Sequence, residues 1–222
     1  MKINEIPLST NLQINKSYYL LLVDIKKSTR HSPKIRQKIF EKLEVTIKEI
    51  NQKPQHRPAF KLTISYGDEI AGLFDTPIRL YDIVSELREA LYPDAHFRCV
   101  VASGKIGVAA DDIRKVGGQV FKDADEYIER LKKQDRFCYW ALEDSHQSAI
   151  LNSLTEMSNN ILERMSPYQR QNWQLLESGL SQKEISERLD KYPQSVSNAL
   201  KQGGADLVLN SGVIINEILS RL

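Results

Sequence analysis

The fold is decided by the stretch Phe60–Phe74, whose sequence is FKLTISYGDEIAGLF. In its first half apolar and polar residues alternate, which is the pattern of a half-buried β-strand. Gly67-Asp68 then predicts the two-residue loop of a hairpin, because glycine tolerates the positive φ of a primed turn. A second apolar strand leaves from Glu69. The stretch therefore predicts a tight hairpin that carries two carboxylates, Asp68 and Glu69, at its tip.

Another acidic residue follows a buried strand upstream. The continuous apolar run Tyr18–Val23 is typical of a strand buried on both faces, and it ends on Asp24. If this strand lies beside the hairpin, Asp24 and Asp68 meet at one edge of the sheet. Two carboxylates placed there repel each other unless one is protonated or a cation lies between them. Magnesium held by one or two carboxylates, with nucleotide phosphates completing its shell, is a common use of this geometry.

The composition narrows the class of protein. The chain has 222 residues, which suits one large domain or two small ones, and its 41% hydrophobic content is enough for a core. The net charge of +2 creates no overall field that would draw the chain to nucleic acid or anionic membrane. Cys99 and Cys138 lie in apolar runs and are predicted to be buried reduced thiols. Without a signal-peptide core or a membrane-length apolar segment, we expect a soluble cytoplasmic protein with no membrane partner.

The order of elements predicts an α+β fold. The first strand is followed by a helix over 33–51, the hairpin strands 59–66 and 69–75, a helix that opens at Thr76-Pro77, a strand over 97–103, a third helix and a short strand over 137–140. Strand, helix, hairpin, helix, strand is the split β-α-β order of ferredoxin-like folds. We therefore expect an antiparallel sheet with helices on one face, and with the first strand next to the hairpin.

These acidic motifs resemble the palm-type catalytic domain of class III nucleotide cyclases. The resemblance rests on Asp24-Ile25 with Ser28-Thr29, on Gly67-Asp68-Glu69 and on the strand 97–104. In that family one Asp after the first strand and another in the hairpin hold two metal ions on a nucleotide triphosphate. The resemblance implies Mg²⁺ as cofactor and a metal site formed by Asp24, Ile25 and Asp68. It also implies that backbone N–H groups of the loop face phosphates, with the nucleotide-binding residues being Ile25, Lys27, Ser28, Thr29 and Glu69.

The cyclase pattern is broken further along the chain. Cyclases carry an Asn and, four residues later, an Arg that assist cyclisation, and these positions fall on Phe121 and Asp125. An Asp cannot stabilise developing negative charge as an Arg does. The departure speaks against cyclase activity while leaving the ion site in place.

The C-terminal segment predicts a helix-turn-helix. A helix begins at Ser166-Pro167, a capping box at Ser181–Glu184 opens a short helix, and Pro193 starts another. Residues 180–189, LSQKEISERL, resemble bacterial transcription-regulator domains of the sigma-region-four type. Gln and Asn side chains can bind adenine edges in the major groove. The predicted DNA-binding residues lie on the outer face of the last helix: Gln194, Ser195, Ser197, Asn198 and Lys201.

The charge of this segment leaves its role open. Between residues 165 and 222 there are six basic and six acidic side chains. Affinity for DNA depends largely on neutralisation of phosphates by Lys and Arg. A neutral module of this shape could bind DNA weakly, bind it as a dimer, or serve as a protein contact.

The two halves together resemble the SatD-like proteins of bacteria, in order and motif over residues 17–205. This predicts a palm domain over 1–141, a connecting helix over 142–165 and a helix-turn-helix domain over 166–222. Three functions compete: a nucleotide-responsive DNA-binding regulator, a nucleotidyl cyclase or transferase, and a degenerate palm that serves as a dimerisation scaffold. Direct salt bridges from Lys26 or Arg98 to the two aspartates would favour the scaffold. We expect a homodimer, because cyclase palms build their sites between two protomers and helix-turn-helix modules bind paired half-sites.

Overall fold

The computed structural model describes residues 12–26, 32–65 and 67–222. The chain divides into two compact units, one that extends to residue 152 and includes 218–222, and one formed by 153–217. Each division falls inside a helix rather than in a loop.

Five strands of the described residues form one mixed sheet in the order β2-β3-β1-β4-β5. They are β1 (Ser17–Ile25), β2 (Pro58–Ile64), β3 (Glu69–Phe74), β4 (Phe97–Lys105) and β5 (Cys138–Ala141). All neighbouring pairs are antiparallel except β4 and β5, which run parallel. The prediction of a wholly antiparallel sheet was therefore wrong at this edge. The reason is the crossover helix α3 (Gln119–Gln134) between β4 and β5, because a helical crossover returns the chain in the same direction.

The helices cover both faces of the sheet, not one face as predicted. Leu20 and Leu22 of β1 lie in an apolar cluster with the buried side of α3. Leu21 and Val23 are also fully buried, and they point the opposite way because side chains alternate along a strand. α1 (Pro33–Gln52) and α2 (Leu80–Leu91) pack against each other, and α1 packs against β2. The helix α3 covers the other face of the sheet because it connects β4 to the additional parallel strand β5.

The helix starts show which local signals were sufficient. The Ser32 side chain caps α1 by accepting a hydrogen bond from the backbone N–H of Ile35, and the helix begins at Pro33, where the sequence predicts its start. Ile35 itself is exposed, because it precedes the part of the helix that packs. α2 begins at Leu80 rather than at Thr76-Pro77, because Arg79 adopts a φ of 68° that a helix cannot include.

The hairpin loop is longer than the sequence predicts. The Ser65 N–H donates to the Glu69 carbonyl at 2.8 Å, so three sequence positions separate these paired residues, rather than the two of the predicted loop. Gly67 has a φ of +53°, in the left-handed region that glycine favours. Three-residue hairpin loops with one left-handed residue are the next most common class after two-residue loops. Tyr66 lies outside the described residues.

The second unit is helical. It takes the end of α4 (Ser145–Arg164), then α5 (Pro167–Glu177), α6 (Gln182–Leu189), α7 (Pro193–Gln202) and most of α8 (Ala205–Ser220). Capping boxes start α5 at Ser166 and α6 at Ser181, the second as predicted. An apolar cluster holds the helices together, and its members include Leu162, Trp173, Ile185, Val196, Leu200 and Val208.

Two further predictions can be compared with the structure. Cys99 and Cys138 are both buried as free thiols, as predicted. In the part of the chain that the structure describes, every helix is too short or too polar to cross a membrane.

Candidate functional site

The candidate site lies at the end of the central strand β1. In the strand register Asp24 is opposite Glu69 of β3 on one side and opposite Arg98 of β4 on the other. Residues opposite each other in antiparallel strands project to the same face of the sheet. The prediction that the first strand lies beside the hairpin is confirmed. Asp24, Glu69 and Arg98 consequently form a charged row across three strands.

Asp68 joins this row from the hairpin loop. Its backbone carbonyl accepts a hydrogen bond from the N–H of Ile25 at 3.4 Å, which holds the loop against the end of β1. The charge of Asp68 contributes to raising the pKa of Asp24. The structure thus brings Asp24 and Asp68, 44 positions apart in the sequence, to one edge of the sheet.

Burial disfavours the charged form of both carboxylic acids in the row. The pKa of Asp24 is raised above its ordinary value chiefly by burial, with repulsion from Asp68 acting in the same direction. The pKa of Glu69 is raised chiefly by burial and further by the charges of Asp125, Asp24 and Asp68. The Ser65 hydroxyl opposes this shift by donating to Glu69 Oε1 at 2.6 Å. Several half-buried acids that repel one another form a place where a cation is favoured.

The basic side chains beside Asp24 form only long ion pairs with its carboxylate. Lys132 Nζ lies 3.4 Å from Asp24 Oδ1, and Arg98 Nη1 lies 3.9 Å from Asp24 Oδ2. Close charge-assisted hydrogen bonds are shorter, roughly 2.7–2.9 Å. Each cation has a nearer partner: Lys132 Nζ lies 3.0 Å from Glu129 Oε1, and Arg98 Nη2 lies 3.1 Å from Asp135 Oδ1. Asp24 therefore keeps part of its charge unbalanced.

Two of these contacts bear on residues that the sequence singled out. Lys26 pairs with Asp135 at 3.0 Å rather than with Asp24 or Asp68. Asp125, which the sequence comparison with cyclases singled out, contributes to raising the pKa of Glu69. Burial raises the pKa of Asp125 as well. The acidic character of the site therefore extends onto α3.

Lys132 lies at the candidate site and was not predicted from the sequence. It follows Asp125 by seven positions on α3, a spacing that places two residues on the same side of a helix. The signal was therefore in the sequence, as a cation two turns after an acid that was already identified. Its pairing with β1 could be found only from the packing of α3 on the sheet.

The acidic residues of the site offer few ligands for a magnesium ion. Among the residues that the structure describes, no three His, Cys, Asp or Glu side chains are placed to hold a metal together. Magnesium needs only one or two protein carboxylates when nucleotide phosphates complete its shell. Asp24 and Asp68 fit that smaller requirement, since Asp24 is incompletely neutralised. Ile25 is buried and apolar, so only its backbone carbonyl could contribute.

Part of the predicted nucleotide-binding loop cannot be placed. Lys27, Ser28 and Thr29 lie outside the described residues. Ile25 and Glu69, the other two predicted nucleotide-binding residues, lie at the site.

The predicted DNA-binding residues lie on α7 of the second unit. Gln194, Ser195, Asn198 and Lys201 are exposed and Ser197 is partly buried. The opposite side of the helix, Val196, Ala199 and Leu200, is buried. The Gln194 amide donates to Asn198 Oδ1 at 3.0 Å, so these two side chains are neighbours on the outer surface. Tyr192, just before the helix, is 82% exposed.

Fold and site define an α+β protein whose mixed sheet carries a half-buried cluster of acids, followed by a compact helical unit. The chain matches the family model of the SatD family over residues 18–218. This match covers most of its length, and the protein belongs to the SatD family. No curated protein matches the chain.

Proposed function

We propose that this protein is a nucleotide-responsive regulator in which the first unit binds a magnesium–nucleotide complex and the second unit binds DNA. The observation that carries the proposal is the convergence of Asp24, Asp68 and Glu69 at the end of β1, where burial and mutual repulsion raise the pKa of Asp24 and Glu69. Carboxylates whose pKa is raised by burial and by neighbouring acids are often found at functional sites.

The topology supports a palm-like first unit. The strand order β2-β3-β1-β4, with α1 after β1 and α2 after β3, agrees with the split β-α-β arrangement of ferredoxin-like folds. The palm domain of class III nucleotide cyclases is built on the same arrangement. β5 and α3 extend this unit.

The residues at the site suggest how a nucleotide triphosphate would be held. Asp24 and Asp68 would hold magnesium, which neutralises phosphate charge when bound. Arg98 and Lys132 supply positive charge beside them. In the described part of the chain, the Arg98 Nε–H is buried without a hydrogen-bond partner. It is therefore a donor that a phosphate oxygen could use.

The helical unit supports a helix-turn-helix. α6 and α7 are joined by the short turn 190–192 and share an apolar core through Ile185, Val196 and Leu200. In this proposal α7 is the recognition helix, and its exposed side would enter the major groove. Because the unit has no net positive charge, we propose that it binds DNA as a homodimer on paired half-sites.

Isothermal titration calorimetry with the four nucleoside triphosphates tests the first half of the proposal. In the presence of Mg²⁺ at least one nucleotide should bind, and Asp24→Asn and Asp68→Asn should each weaken binding at least tenfold. Asp111→Asn changes an exposed acid of the same unit and is the matched control. Unchanged affinity in Asp68→Asn would remove the proposed site.

Fluorescence anisotropy on DNA fragments from upstream of the protein's own gene tests the second half. Asn198→Ala and Lys201→Ala should each weaken binding several-fold, and Lys201→Ala should also reduce the salt dependence, because it removes a phosphate contact. Lys183→Ala, which removes an exposed cation from α6, is the control. An absence of DNA binding would leave the helical unit as a protein contact.

A second candidate function is a scaffold whose acidic site needs no added cation. The ion pairs from Lys132 and Arg98 to Asp24 favour it. In this case Asp24→Asn would change the free energy of unfolding while no nucleotide binds to the unaltered protein.

Catalytic turnover has less support. Phe121 packs against the apolar cluster under α3, and Asp125 adds negative charge where a cyclase uses an arginine. Incubation with labelled triphosphates and Mg²⁺ or Mn²⁺ is expected to give no cyclic product.

A further inference from the structure

A cavity of about 290 Å³ lies in the first unit, away from the acidic site. Its walls come from the end of β4, from α3, from β5 and from the start of α4. The cavity is lined by Ala102 and Ser103 of β4. The acidic site lies beside Arg98 of the same strand, since Arg98 is opposite Asp24 of β1. At about 3.3 Å per residue, the two places are roughly 13 Å apart along β4. The cavity is therefore a separate site.

Its place in the fold is one that ligands commonly use. β4, α3 and β5 form a parallel strand–helix–strand unit, and the cavity lies at the carboxyl ends of its two strands. In open sheets with parallel strands, ligands bind in the crevice outside the carboxyl ends. The volume is at the lower end of the range for small-molecule pockets, which favours a small ligand.

The electrostatic character of the cavity comes from Asp123. Among the described residues that line the cavity, Asp123 is the one with a charged side chain. Asp123 Oδ1 accepts a hydrogen bond from the Gln119 amide at 2.8 Å. Within the described parts of the chain, the other carboxylate oxygen has no protein partner. A carboxylate with an unused acceptor attracts a cation or an N–H donor.

Two aromatic rings complete the lining. Tyr127 of α3 and Tyr139 of β5 stack with their ring centroids 4.5 Å apart. The Arg130 guanidinium lies 5.2 Å from the Tyr127 centroid, so this aromatic pair already has one cation beside it. The side chain of Ser103 faces the other side of the sheet, because its neighbours Ala102 and Gly104 face α3 and side chains alternate along a strand.

We propose that this cavity binds a small organic cation that carries N–H donors on a flat or apolar body, such as an amidinium, guanidinium or ammonium compound. The Asp123 carboxylate pairs with the charge, and the Tyr127 and Tyr139 rings contact the body of the ligand. The proposal does not depend on nucleotide binding at Asp24.

Calorimetry on the full chain with benzamidine, benzamide and benzoate tests the proposal. The three probes share a flat ring of nearly the same shape but carry charges of +1, 0 and −1. Benzamidine should bind at least tenfold more tightly than benzamide, and benzoate should give no binding heat. Asp123→Asn should weaken benzamidine binding at least tenfold. Glu126→Gln, which changes an exposed acid of the same helix, should leave it unchanged.

A second variant separates the cavity from other acidic surfaces. Ala149 lines the cavity and is exposed, so Ala149→Phe should fill the cavity without disturbing the core. Benzamidine binding should be lost in this variant, while the thermal unfolding curve and nucleotide titrations match the unaltered protein. Similar affinity for all three probes, or benzamidine binding that survives Asp123→Asn or Ala149→Phe, would overturn the proposal.

Discussion

Two glutamates show how differently the two units use the same side chain. Glu69, at the acidic end of the sheet, is half-buried, and its pKa is raised by burial and by the charges of three other acids. Glu184, at the start of α6, is exposed, and its pKa is lowered because the Ser181 hydroxyl and backbone N–H donate to its carboxylate at 2.7 and 2.8 Å. The negative charge of Glu184 stabilises its helix, whereas that of Glu69 opposes folding. A charge retained at a cost in stability is more informative about function than one that caps a helix.

The largest change in the free energy of unfolding is expected from a substitution in the core beneath Glu69 and Asp24. Leu22 lies two residues before Asp24 on the same face of β1 and is 3% exposed. Leu22→Ala should lower the free energy of unfolding by about 2–5 kcal/mol, because it leaves a cavity under α3. Urea unfolding measures this change. Val45→Ala, at a position that is 58% exposed, should stay close to the unaltered protein. Equal effects in the two variants would contradict the described packing.

A smaller effect is expected when the cap at Glu184 is removed. Ser181 accepts a hydrogen bond from the Glu184 N–H and donates to its carboxylate. Ser181→Ala should lower the free energy of unfolding of the second unit by about 1 kcal/mol, the typical value for loss of an N-cap.

The control for this cap is Ser195→Ala, which removes an exposed hydroxyl from α7. It should have almost no effect on thermal unfolding followed by circular dichroism. If Ser195→Ala were as destabilising as Ser181→Ala, the capping box would not explain the difference between the two glutamates.

The smallest expected effect is on the pH dependence of the free energy of unfolding, which should have opposite signs for Glu69 and Glu184. The ordinary glutamate pKa is 4.5, and that of Glu69 is higher in the folded protein. The folded state therefore binds more protons in the window between these values, and the stability associated with Glu69, fully present below 4.5, is lost as the pH rises through the folded pKa. Glu69→Gln should accordingly be more stable than the unaltered protein at pH 7, and the difference should shrink on acidification.

Glu184 should behave in the opposite way. Its pKa is lowered on folding, so its stabilising charge is fully present above 4.5 and is lost as the pH falls through the folded pKa. Glu184→Gln should be less stable than the unaltered protein at pH 7. Urea unfolding of both variants at several pH values between 3 and 7 measures the two slopes. Slopes of the same sign would contradict the comparison.

Local signals in the sequence were sufficient for most elements. The alternation before Gly67 and the apolar run Tyr18–Val23 gave strands, and Ser32 and Ser181 gave helix starts, because hydrogen-bond caps and period-two patterns depend on neighbouring residues only. The pairing of the first strand with the hairpin was also predicted correctly. The predicted start of α2 was wrong, because the positive φ of Arg79 cannot be recognised from the sequence.

By itself the sequence determined the strands, the capped helices and the presence of acids at two chain segments, since each of these features follows from residues close together along the chain. Only the tertiary structure decided the parallel pairing of β4 with β5, the second covered face, the loose ion pair of Lys132 with Asp24, and the cavity beside Asp123. These features arise where α3 crosses the sheet. The position of a crossover helix depends on burial of apolar surface by the whole unit, so no short stretch of sequence contains it.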